Sequence, residues 1–401
     1  MDWSDTPEQA TFRHSVRTFL QERLPALYRD PGSRRHESGI ENDWQQDLHN
    51  GTAPEKAAAQ EWADALAERG WGQPHWPKEY GGADMSTFEQ FILNQEFARA
   101  EAPAIGGNLI GSTLLVHGTT EQKERFLKPT LTGEIRWAQG FSEPGAGSDL
   151  GSLQCRATRD GDDFIINGQK LWTSAGHKSN WIFGLFRTDP EAPKHRGITF
   201  MMIDAASNGV TVRPIISMGW EHATNETFYE DVRVPASQVV GEVNRGWYVG
   251  MTLLDYERSG VARSVALRKA MDELVTYVRE DPMPNRRELV RAELADRYIE
   301  SEVLDNLCIR IASMHASGNI PNYEASMGKM YGSELAQRIA RTGIKAFGVR
   351  SNLWSSEEEY APLHAAHTQN YCHTVVGTIA GGSNEIQRNI IATRGLGLPR
   401  G

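Results

Sequence analysis

The order of patterns along the 401-residue sequence predicts an α+β protein with a helical part, a β part and a second helical part. Three observations support this class. Apolar residues recur with helical spacing in the first third, short β-like runs fill the middle, and helical spacing returns from Gly246. We therefore predict an N-terminal all-α domain at 1–135, a central antiparallel β domain at 136–242 and a C-terminal helical domain at 243–401.

The first third carries the spacing of successive amphipathic helices. Residues 7–28 place apolar side chains at i, i+4 and i+7, and a second helix is predicted from Ala53 to Arg69. The stretch WGQPHWPKEYGG, which follows, is too rich in glycine and proline to be helical. Further helices are predicted at Thr87–Ala100, at 105–118 and at 120–128.

The middle of the chain is predicted to form short strands. FIINGQKLWTS (164–174) has two short runs around Asn167-Gly168, a dipeptide that strongly indicates a β-hairpin with a type I′ turn. GITFMMID, VTVRPIIS and NETFYEDVRVP are further β-like runs separated by turn residues. We expect these strands to pair antiparallel in one domain.

Helical spacing returns at Gly246 and continues to about Arg394. Two stretches interrupt it. EDPMPNRRE (280–288) contains two prolines, and SSEEEYAP (355–362) is acidic. We predict that the acidic stretch is a solvated surface loop.

Composition and charge exclude several classes of protein. The sequence is 39% hydrophobic and 23% charged, lacks a run of 18 apolar residues and begins without the features of a signal peptide. We therefore expect no membrane span and a cytoplasmic location. A net charge of −10 argues against a nucleic-acid partner. The three cysteines follow no metal-ligand or redox spacing, so reduced thiols and no metal site are expected.

The segment FSEPGAGSD lies at the entry to the predicted β domain. Gly145, Gly147 and Ser148 offer backbone N–H groups and a hydroxyl in a tight turn. Such a turn suits phosphate or the polar edge of a heterocycle. Taken alone, the segment could equally be a simple connecting loop.

The segment LWTSAG places an aromatic residue and two hydroxyls at the end of a predicted strand. Trp172 could stack on a planar ring while Thr173 and Ser174 address its heteroatoms. A tryptophan at a strand end is also common in protein cores, so this segment alone leaves both interpretations open.

Together these segments resemble the acyl-CoA dehydrogenase family. Ser142–Asp149 matches the family's flavin loop, T/S-E-P-x-A-G-S-D, and NGQKLWTS (167–174) matches its N-G-x-K-x-W-x-[ST] hairpin. WPKEYGG, DVRVPASQVVGE and GGSNEIQRNIIATRGLGLPR also resemble family segments, in the expected order, so the resemblance covers nearly the whole chain. It implies a C-terminal four-helix bundle and FAD bound between that bundle and the β domain.

The resemblance also implies roles for residues of the two motifs. The backbone of Phe141 and the hydroxyl of Ser142 would address the pyrimidine edge of the flavin. Trp172 would flank the ring, and Thr173 and Ser174 would lie near the N5 edge.

Further residues take implied roles in the same way. Gly147 and Ser148 belong to the flavin loop, and Ser148 also matches a contact with the pantetheine of the substrate. The Gly381–Gly382 bend would lie against the flavin and the thioester carbonyl. Ser383 and Glu385 would lie near the ribityl and phosphate portion of FAD.

The catalytic base is displaced from its usual position. Aligning EIQR with the family's x-I-Q-R puts Gly381 where most members have a glutamate. A subset of the family supplies the base from another helix, directly before an arginine, and LLDYERSG has Glu257 before Arg258. Asp255 and Arg258 match the family's D-x-x-R, which binds pantetheine and braces the carboxylate. We predict Glu257 as the base, with a pKa raised by desolvation.

The reaction implied by the resemblance is FAD-dependent α,β-dehydrogenation of an acyl-CoA to the 2-enoyl-CoA, with an electron-transfer flavoprotein as acceptor. Two alternatives stay open. The chain could be a non-catalytic or half-site subunit of a heteromeric acyl-CoA dehydrogenase, or a flavin monooxygenase or oxidase on the same fold.

Two departures from the family pattern concern the part of the FAD site that a partner subunit normally supplies. The R-x-x-F-G segment is replaced by REDPMPNRRE, and in the Q-x-x-G-G loop Lys345 and Val349 replace the glutamine and the second glycine. These departures resemble bacterial members that pair two different chains. A homo- or hetero-oligomer, a dimer of dimers, is therefore expected, with fatty acid or sterol side-chain catabolism as its context.

Overall fold

The structure of the chain is a computed structural model, and it describes residues 4–29, 35–36, 39–40, 43–103, 105, 109–256, 260–280 and 284–399. Along this described part, no helix combines the length and the apolar character that a membrane span requires. The predicted N-terminal, β and C-terminal parts follow one another in the expected order.

In its described residues, the N-terminal part consists of helices, the loops that connect them and one two-residue strand pair. Its helices are α1 (Pro7–Arg23), α2 (Ala26–Arg29), α3 (Trp44–Asn50), α4 (Ala53–Arg69), α5 (Thr87–Arg99), α6 (Leu109–His117) and α7 (Thr120–Leu131), and its strands are β1 (Arg35–His36) and β2 (Gly39–Ile40). Capping boxes begin four of these helices, where a Ser or Thr exchanges hydrogen bonds with a Glu or Gln three residues later: Thr6, Thr52, Ser86 and Thr119. The predicted helices at 53–69, 87–100 and 120–128 are therefore confirmed.

The predicted single helix at 7–28 is wrong, because the chain breaks between α1 and α2. Leu24 has φ −66° and ψ 120°, an extended conformation, and it precedes Pro25. The ring of a proline disfavours the helical conformation in the residue before it. The apolar spacing continues through the break because Leu24 and Tyr28 are both buried in the same core.

The central part is one sheet. Its strands are β3 (Trp137–Gly140), β4 (Arg156–Asp160), β5 (Asp163–Lys170), β6 (Trp181–Arg187), β7 (Ile198–Asp204), β8 (Val210–Ile215), β9 (Thr224–Pro235) and β10 (Val239–Val240). The order across the sheet is β10-β7-β6-β4-β5-β9-β8, and β3 also pairs with β6.

The expectation of a purely antiparallel domain needs a correction. β3 runs parallel to β6 along four residue pairs, and β4 meets β6 in parallel at Arg156 and Arg187. Parallel neighbours require a long connection. The chain between β3 and β6 provides one, because it contains the FSEPGAGSD loop and the β4–β5 hairpin.

The predicted hairpin turn at Asn167-Gly168 is also wrong. β5 runs through this dipeptide, which forms a β-bulge opposite β9, and the hairpin turn lies instead between Asp160 and Asp163. Asn167 exchanges two hydrogen bonds of 2.9 Å with Asp231. Gly168 has φ +139°, and a Cβ there would lie 2.8 Å from Sγ of Cys155. The dipeptide therefore forms a bulge, which needs backbone freedom similar to that of a type I′ turn.

The C-terminal part is helical, as predicted. Its helices are α8 (Gly246–Tyr256), α9 (Val261–Glu280), α10 (Pro284–Ala316), α11 (Tyr323–Phe347), α12 (Ala366–His373) and α13 (Asn384–Ile390). α9, α10 and α11 enclose a core that includes Met271, Leu274 and Leu335. Residues 357–360 of the acidic loop are exposed, which agrees with the predicted solvated surface.

Candidate functional site

The FSEPGAGSD and LWTSAG segments lie side by side, and a buried ion pair joins them. Nζ of Lys170 is 2.7 Å from Oε1 of Glu143, and the lysine is fully buried. The same ammonium donates to the carbonyls of Leu185 at 2.6 Å and Phe141 at 3.3 Å. Next to it, the N–H of Leu171 donates to the carbonyl of Ser142 at 2.8 Å. The two motifs are thus fixed to each other.

The carboxylate of Glu143 also accepts hydrogen bonds from the backbone that follows the flavin-loop motif. It accepts hydrogen bonds from the N–H groups of Gln154 at 2.6 Å and Cys155 at 3.0 Å. The backbones of Glu143 and Ala146 exchange two further hydrogen bonds in a tight turn. A carboxylate that accepts several hydrogen bonds and faces an ammonium can remain charged although it is buried.

The predicted contacts of the flavin loop lie on its outer surface. Gly147 and Ser148 are exposed, and a Cβ on Gly147 would meet no atom within 4 Å. Asp149, at the end of the motif, accepts hydrogen bonds from Lys194 and from Ser152, and the bond from Lys194 lowers the pKa of its carboxyl group. The loop is therefore anchored at both ends while open space lies over its glycine.

Phe141 is buried in the core, whereas Ser142 is only half-buried. The Phe141 ring is buried and packs edge-on against Phe183 and Phe200, with ring centroids 6.0 and 6.2 Å apart. The buried ring is therefore not available to a ligand, and the predicted contact through the backbone of Phe141 stays a prediction.

Trp172 presents its indole to the outside from a strained backbone. Its φ is +61°, in the left-handed region that non-glycine residues rarely adopt, and the residue is 57% exposed. The next residue holds this conformation in place. Thr173 and Asn225 exchange backbone hydrogen bonds of 2.9 and 3.1 Å, and Nδ2 of Asn225 also donates to the Thr173 carbonyl at 3.0 Å. Strain of this kind is frequent at ligand sites.

The two hydroxyls after Trp172 differ in their surroundings. The Thr173 side chain is fully buried and accepts a hydrogen bond from the Thr227 hydroxyl at 3.1 Å. Ser174 is exposed. Of the two residues predicted near the flavin N5 edge, Ser174 is thus the one whose side chain is accessible, whereas Thr173 fixes the turn.

The Gly381–Gly382 bend is held by contacts from α11 and α13. Gly381 has φ +64° and Gly382 has φ +78°, so the backbone at both positions favours glycine. Nε2 of Gln387 donates to the carbonyls of Gly381 at 3.0 Å and Gly382 at 3.2 Å. A Cβ on Gly381 would meet no atom within 4 Å, which leaves room for a ligand over the bend.

Ser383 and Glu385 begin the helix that follows the bend. The hydroxyl of Ser383 accepts a hydrogen bond from the N–H of Ile386 at 3.4 Å and caps α13. Glu385 is exposed, and a hydrogen bond from its own backbone N–H, with a second from Ser383, lowers the pKa of its carboxyl group. The resulting carboxylate suits ribityl hydroxyls as an acceptor but would repel phosphate.

The predicted base and its neighbours fall at the end of α8 and in the sequence that follows it. Glu257 and Arg258 lie outside the described residues. Asp255 belongs to α8, but its side chain lies outside the described part. The roles of these three residues therefore remain predictions.

The structure adds residues for which the sequence predicts no role. They are Glu143, Lys170, Gln387 and Lys329, which donates to the Gly382 carbonyl at 2.8 Å. Lys170 could have been found from the sequence, because a lysine within a strand of buried residues must have a partner. Lys329 and Gln387 carry no comparable signal, because polar residues are ordinary in amphipathic helices.

The residues of the two fixed motifs fit an FAD cofactor. The exposed Trp172 indole offers a planar surface for the ring system, and the open space above Gly147 admits a ligand close to the backbone. The Ser148 and Ser174 hydroxyls are exposed and can serve as hydrogen-bond donors or acceptors.

Comparison with known proteins gives matches along almost the whole chain. The acyl-CoA dehydrogenase N-terminal, middle and C-terminal domain families match residues 6–134, 138–232 and 244–396. Acyl-CoA dehydrogenase FadE34 of Mycobacterium tuberculosis is 37% identical over 340 residues, which is 84% of this chain. This chain spans about half of the length of FadE34 (46%).

Two solved structures of similar proteins are each described by the names of a pair of chains. The Tcur3481-Tcur3483 steroid ACAD superimposes with a TM-score of 0.83 at 33% identity and covers 100% of both chains. The ChsE4-ChsE5 complex from Mycobacterium tuberculosis superimposes with a TM-score of 0.80 at 30% identity, again over 100% of both chains.

Proposed function

Because the chain belongs to the acyl-CoA dehydrogenase family, whose members are FAD-binding flavoproteins that oxidise acyl-CoA, we propose a specific version of that reaction. The chain converts an acyl-CoA to the 2-enoyl-CoA, and Glu257 removes the α-proton. Bound FAD supplies the acceptor for the hydride that leaves the β-carbon. The observation that carries the proposal is an intact flavin loop combined with a glycine at the usual position of the base.

Residues of the flavin loop and of β5 would hold and orient the cofactor. Glu143 and Lys170 hold the flavin loop against β5, so Phe141, Ser142, Gly147 and Ser148 keep a fixed relation to Trp172. Trp172 would flank the ring, and Thr173 and Ser174 would lie near its N5 edge. Positioning by rigid elements of this kind lowers the entropic cost of reaching the reactive geometry.

The proposed contacts with the substrate involve the Gly381–Gly382 bend and residues at and after the end of α8. Gly381 and Gly382 would lie against the thioester, and Ser383 and Glu385 would lie near the ribityl chain. The pantetheine would be bound by Ser148, Asp255 and Arg258. A glutamate in a desolvated pocket has a raised pKa, which suits it to accept a proton near neutral pH.

Exchange of the base for an amide tests the mechanism. In Glu257→Gln we expect FAD to remain bound, while anaerobic addition of an acyl-CoA no longer bleaches the flavin spectrum. Glu273→Gln is the matched control, because Glu273 lies on α9 and is 4.0 Å from Lys269 at the surface. Wild-type bleaching in Glu257→Gln, or its loss in both variants, would contradict the assignment.

We propose bulky or ring-containing acyl-CoAs, such as sterol side-chain thioesters, as the substrate class. The similarity to a protein described as a steroid ACAD and the open space over Gly381 support this proposal. It is tested by kcat/KM for a steroid side-chain acyl-CoA and for a straight-chain acyl-CoA of equal carbon number. A preference for the straight chain would contradict it.

We further propose that the chain assembles with a related dehydrogenase chain and passes electrons to an electron-transfer flavoprotein. The similarity to the ChsE4-ChsE5 complex supports a hetero-oligomer. So do Lys345, which pairs with Glu293 at 2.6 Å, and Val349, which is 77% exposed, at positions where the family has glutamine and glycine. Mass and visible spectrum of the native assembly test this directly, since a colourless chain would indicate a non-catalytic subunit. Rapid reoxidation in air would indicate an oxidase.

A further inference from the structure

Lys329 of α11 contacts the Gly381–Gly382 bend directly. Its ammonium donates to the carbonyl of Gly382 at 2.8 Å and to Oδ1 of Asn384 at 3.0 Å. Asn384 is buried and is held in turn by Ser333 at 3.2 Å and Glu334 at 3.2 Å. The lysine is therefore fixed by the bend and by the first residue of α13 together.

These contacts orient the bend. The carbonyls of Gly381 and Gly382 both accept hydrogen bonds from the protein, one from Gln387 alone and the other from Gln387 and Lys329. The side of Gly381 on which a Cβ would point is instead open. The polar groups that face the protein are thus occupied, and the open side is left to a ligand.

Lys329 also brings charge to this place, and a second cation lies near it. The Cδ atom of Arg263, on α9, lies 3.3 Å from where a Cβ on Gly332 would be, and Gly332 is three residues after Lys329 on the same helix. Burial, together with the charge of Arg263, lowers the pKa of the Lys329 ammonium, while the carboxylate of Glu385 opposes this effect.

The remaining charges around the bend largely balance each other. Glu334 accepts hydrogen bonds from Asn384 at 3.2 Å and from Arg388 at 2.5 Å. Arg388 also lies 3.9 Å from Glu385. Among the described residues, Lys329 is the charged side chain that donates a hydrogen bond to the bend itself.

We propose that Lys329 is a positioning residue, which holds the Gly381–Gly382 bend in place and adds a positive charge beside it. This inference rests on the proposed function. When the α-proton leaves, negative charge develops on the thioester carbonyl, and a nearby positive charge lowers the energy of that state. The lysine acts through the bend and does not touch the reacting atoms.

A substrate analogue with an acidic α-position tests the inference. A 3-thia-acyl-CoA bound to the FAD-loaded protein gives a long-wavelength absorption band when its α-position is deprotonated, so a pH titration of the band reports an apparent pKa. We expect Lys329→Gln, which keeps a donor without the charge, to raise this pKa by about one unit. Lys329→Arg should restore the wild-type value, and Arg341→Met, on the exposed side of α11, should leave it unchanged.

The outcomes separate this inference from the proposed function. A wild-type protein without the band would contradict the proposed function itself. A wild-type band with an unshifted pKa in Lys329→Gln would overturn the charge role of Lys329. If Lys329→Gln fails to retain FAD, Lys329→Arg decides the question. Recovery of both FAD and the wild-type pKa supports the inference, and recovery of FAD with a raised pKa overturns it.

Discussion

The ammonium of Lys170 and the carboxylate of Glu143 lie 2.7 Å apart in the interior, and they join two motifs that are separated in the sequence. Both groups are buried, and each also bonds to backbone: Lys170 to two carbonyls, Glu143 to two N–H groups. Complete pairing of this kind is needed because a buried charge without a partner is strongly destabilising. The pair therefore ties the shape of the flavin loop to the position of β5.

We predict that Lys170→Met lowers the free energy of unfolding by about 3 kcal/mol, because it leaves the Glu143 carboxylate buried without a counter-ion. FAD affinity should fall as well, since the flavin loop loses its attachment to β5. Urea unfolding of the apoprotein and fluorescence titration with FAD measure the two effects.

The double variant Lys170→Met with Glu143→Gln is the control for this prediction. Removing both charges should recover at least about 1 kcal/mol relative to Lys170→Met alone, because neither charge then remains unpaired. Strictly additive losses would show that the two side chains act independently.

A second prediction concerns the strained backbone at Trp172. Trp172→Gly removes an unfavourable left-handed conformation but adds freedom to the unfolded chain, so stability should change by less than about 1 kcal/mol. The Kd for FAD should nevertheless rise about tenfold or more, because the stacking surface is lost. Thermal unfolding and FAD titration are the two measurements.

Trp220 provides a matched control for that substitution. It has φ +63° and is 72% exposed, and it lies in the loop between β8 and β9. Trp220→Gly should change stability to a similar extent and leave FAD binding unaltered. Equal losses of FAD affinity in both variants would mean that Trp172 has no specific role in stacking.

The elements that follow from local chemistry could be predicted from the sequence. The helix beginning after Thr119 is an example, because its capping box lies within four residues. The Asn167-Gly168 dipeptide shows the limit of local chemistry. Its preference for unusual backbone angles fits a hairpin turn and a bulge equally well. The choice depends on pairing with β9, which lies more than fifty residues later.

In the site, too, some features follow from a short motif, whereas others depend on residues that lie far away in the sequence. The exposed indole of Trp172 fits the stacking role that the motif implies, and that role stays a prediction. The burial of Thr173 could not be read from the motif, because it depends on Asn225 and Thr227 of β9. The link from Lys329 to Gly382 spans 53 residues and has no pattern in the sequence.

A third prediction concerns the pH dependence of stability in the N-terminal part. Glu96 is 4% exposed and bonds to Arg13 at 2.7 Å and to Arg17 at 2.7 Å. Burial tends to raise the pKa of this carboxyl group, but the hydrogen bonds from Arg17 and Arg13 outweigh it and lower the pKa below its ordinary value of 4.5. The charged form is therefore stabilised by folding.

Glu96→Gln should lower the free energy of unfolding by about 2 kcal/mol at neutral pH, because Arg17 and Arg99 lose their carboxylate partner while Arg13 keeps Asp5. A lowered folded-state pKa gives stability that is present above the unfolded value of about 4.5 and lost as the pH falls through the folded value. The difference from wild type should shrink below that pH. Glu68→Gln, which removes an exposed partner of Arg23, should change stability little. A difference independent of pH would contradict the ion-pair explanation.

A fourth prediction compares the two glycines of the bend. Both have positive φ, so alanine at either position costs about 1 kcal/mol in backbone strain. At Gly382 the added Cβ would also lie 2.8 Å from Nε2 of Gln387 and displace the hydrogen bonds to the two carbonyls. Gly382→Ala should therefore be less stable than Gly381→Ala by about 1 kcal/mol or more.

The same two variants should both lower kcat/KM, but they should differ in how strongly the loss depends on the size of the acyl group. Gly381→Ala adds a methyl group to open space on the side assigned to the thioester, so it should keep its fold and its FAD. Its kcat/KM should fall more for a bulky, ring-containing acyl-CoA than for a straight chain, because the added methyl group occupies room that the larger acyl group needs. Gly382→Ala should instead lower kcat/KM for both substrates by a similar factor, since it disturbs the bend as a whole. An unchanged ratio of the two substrates in Gly381→Ala would show that the space over this glycine does not select the acyl group.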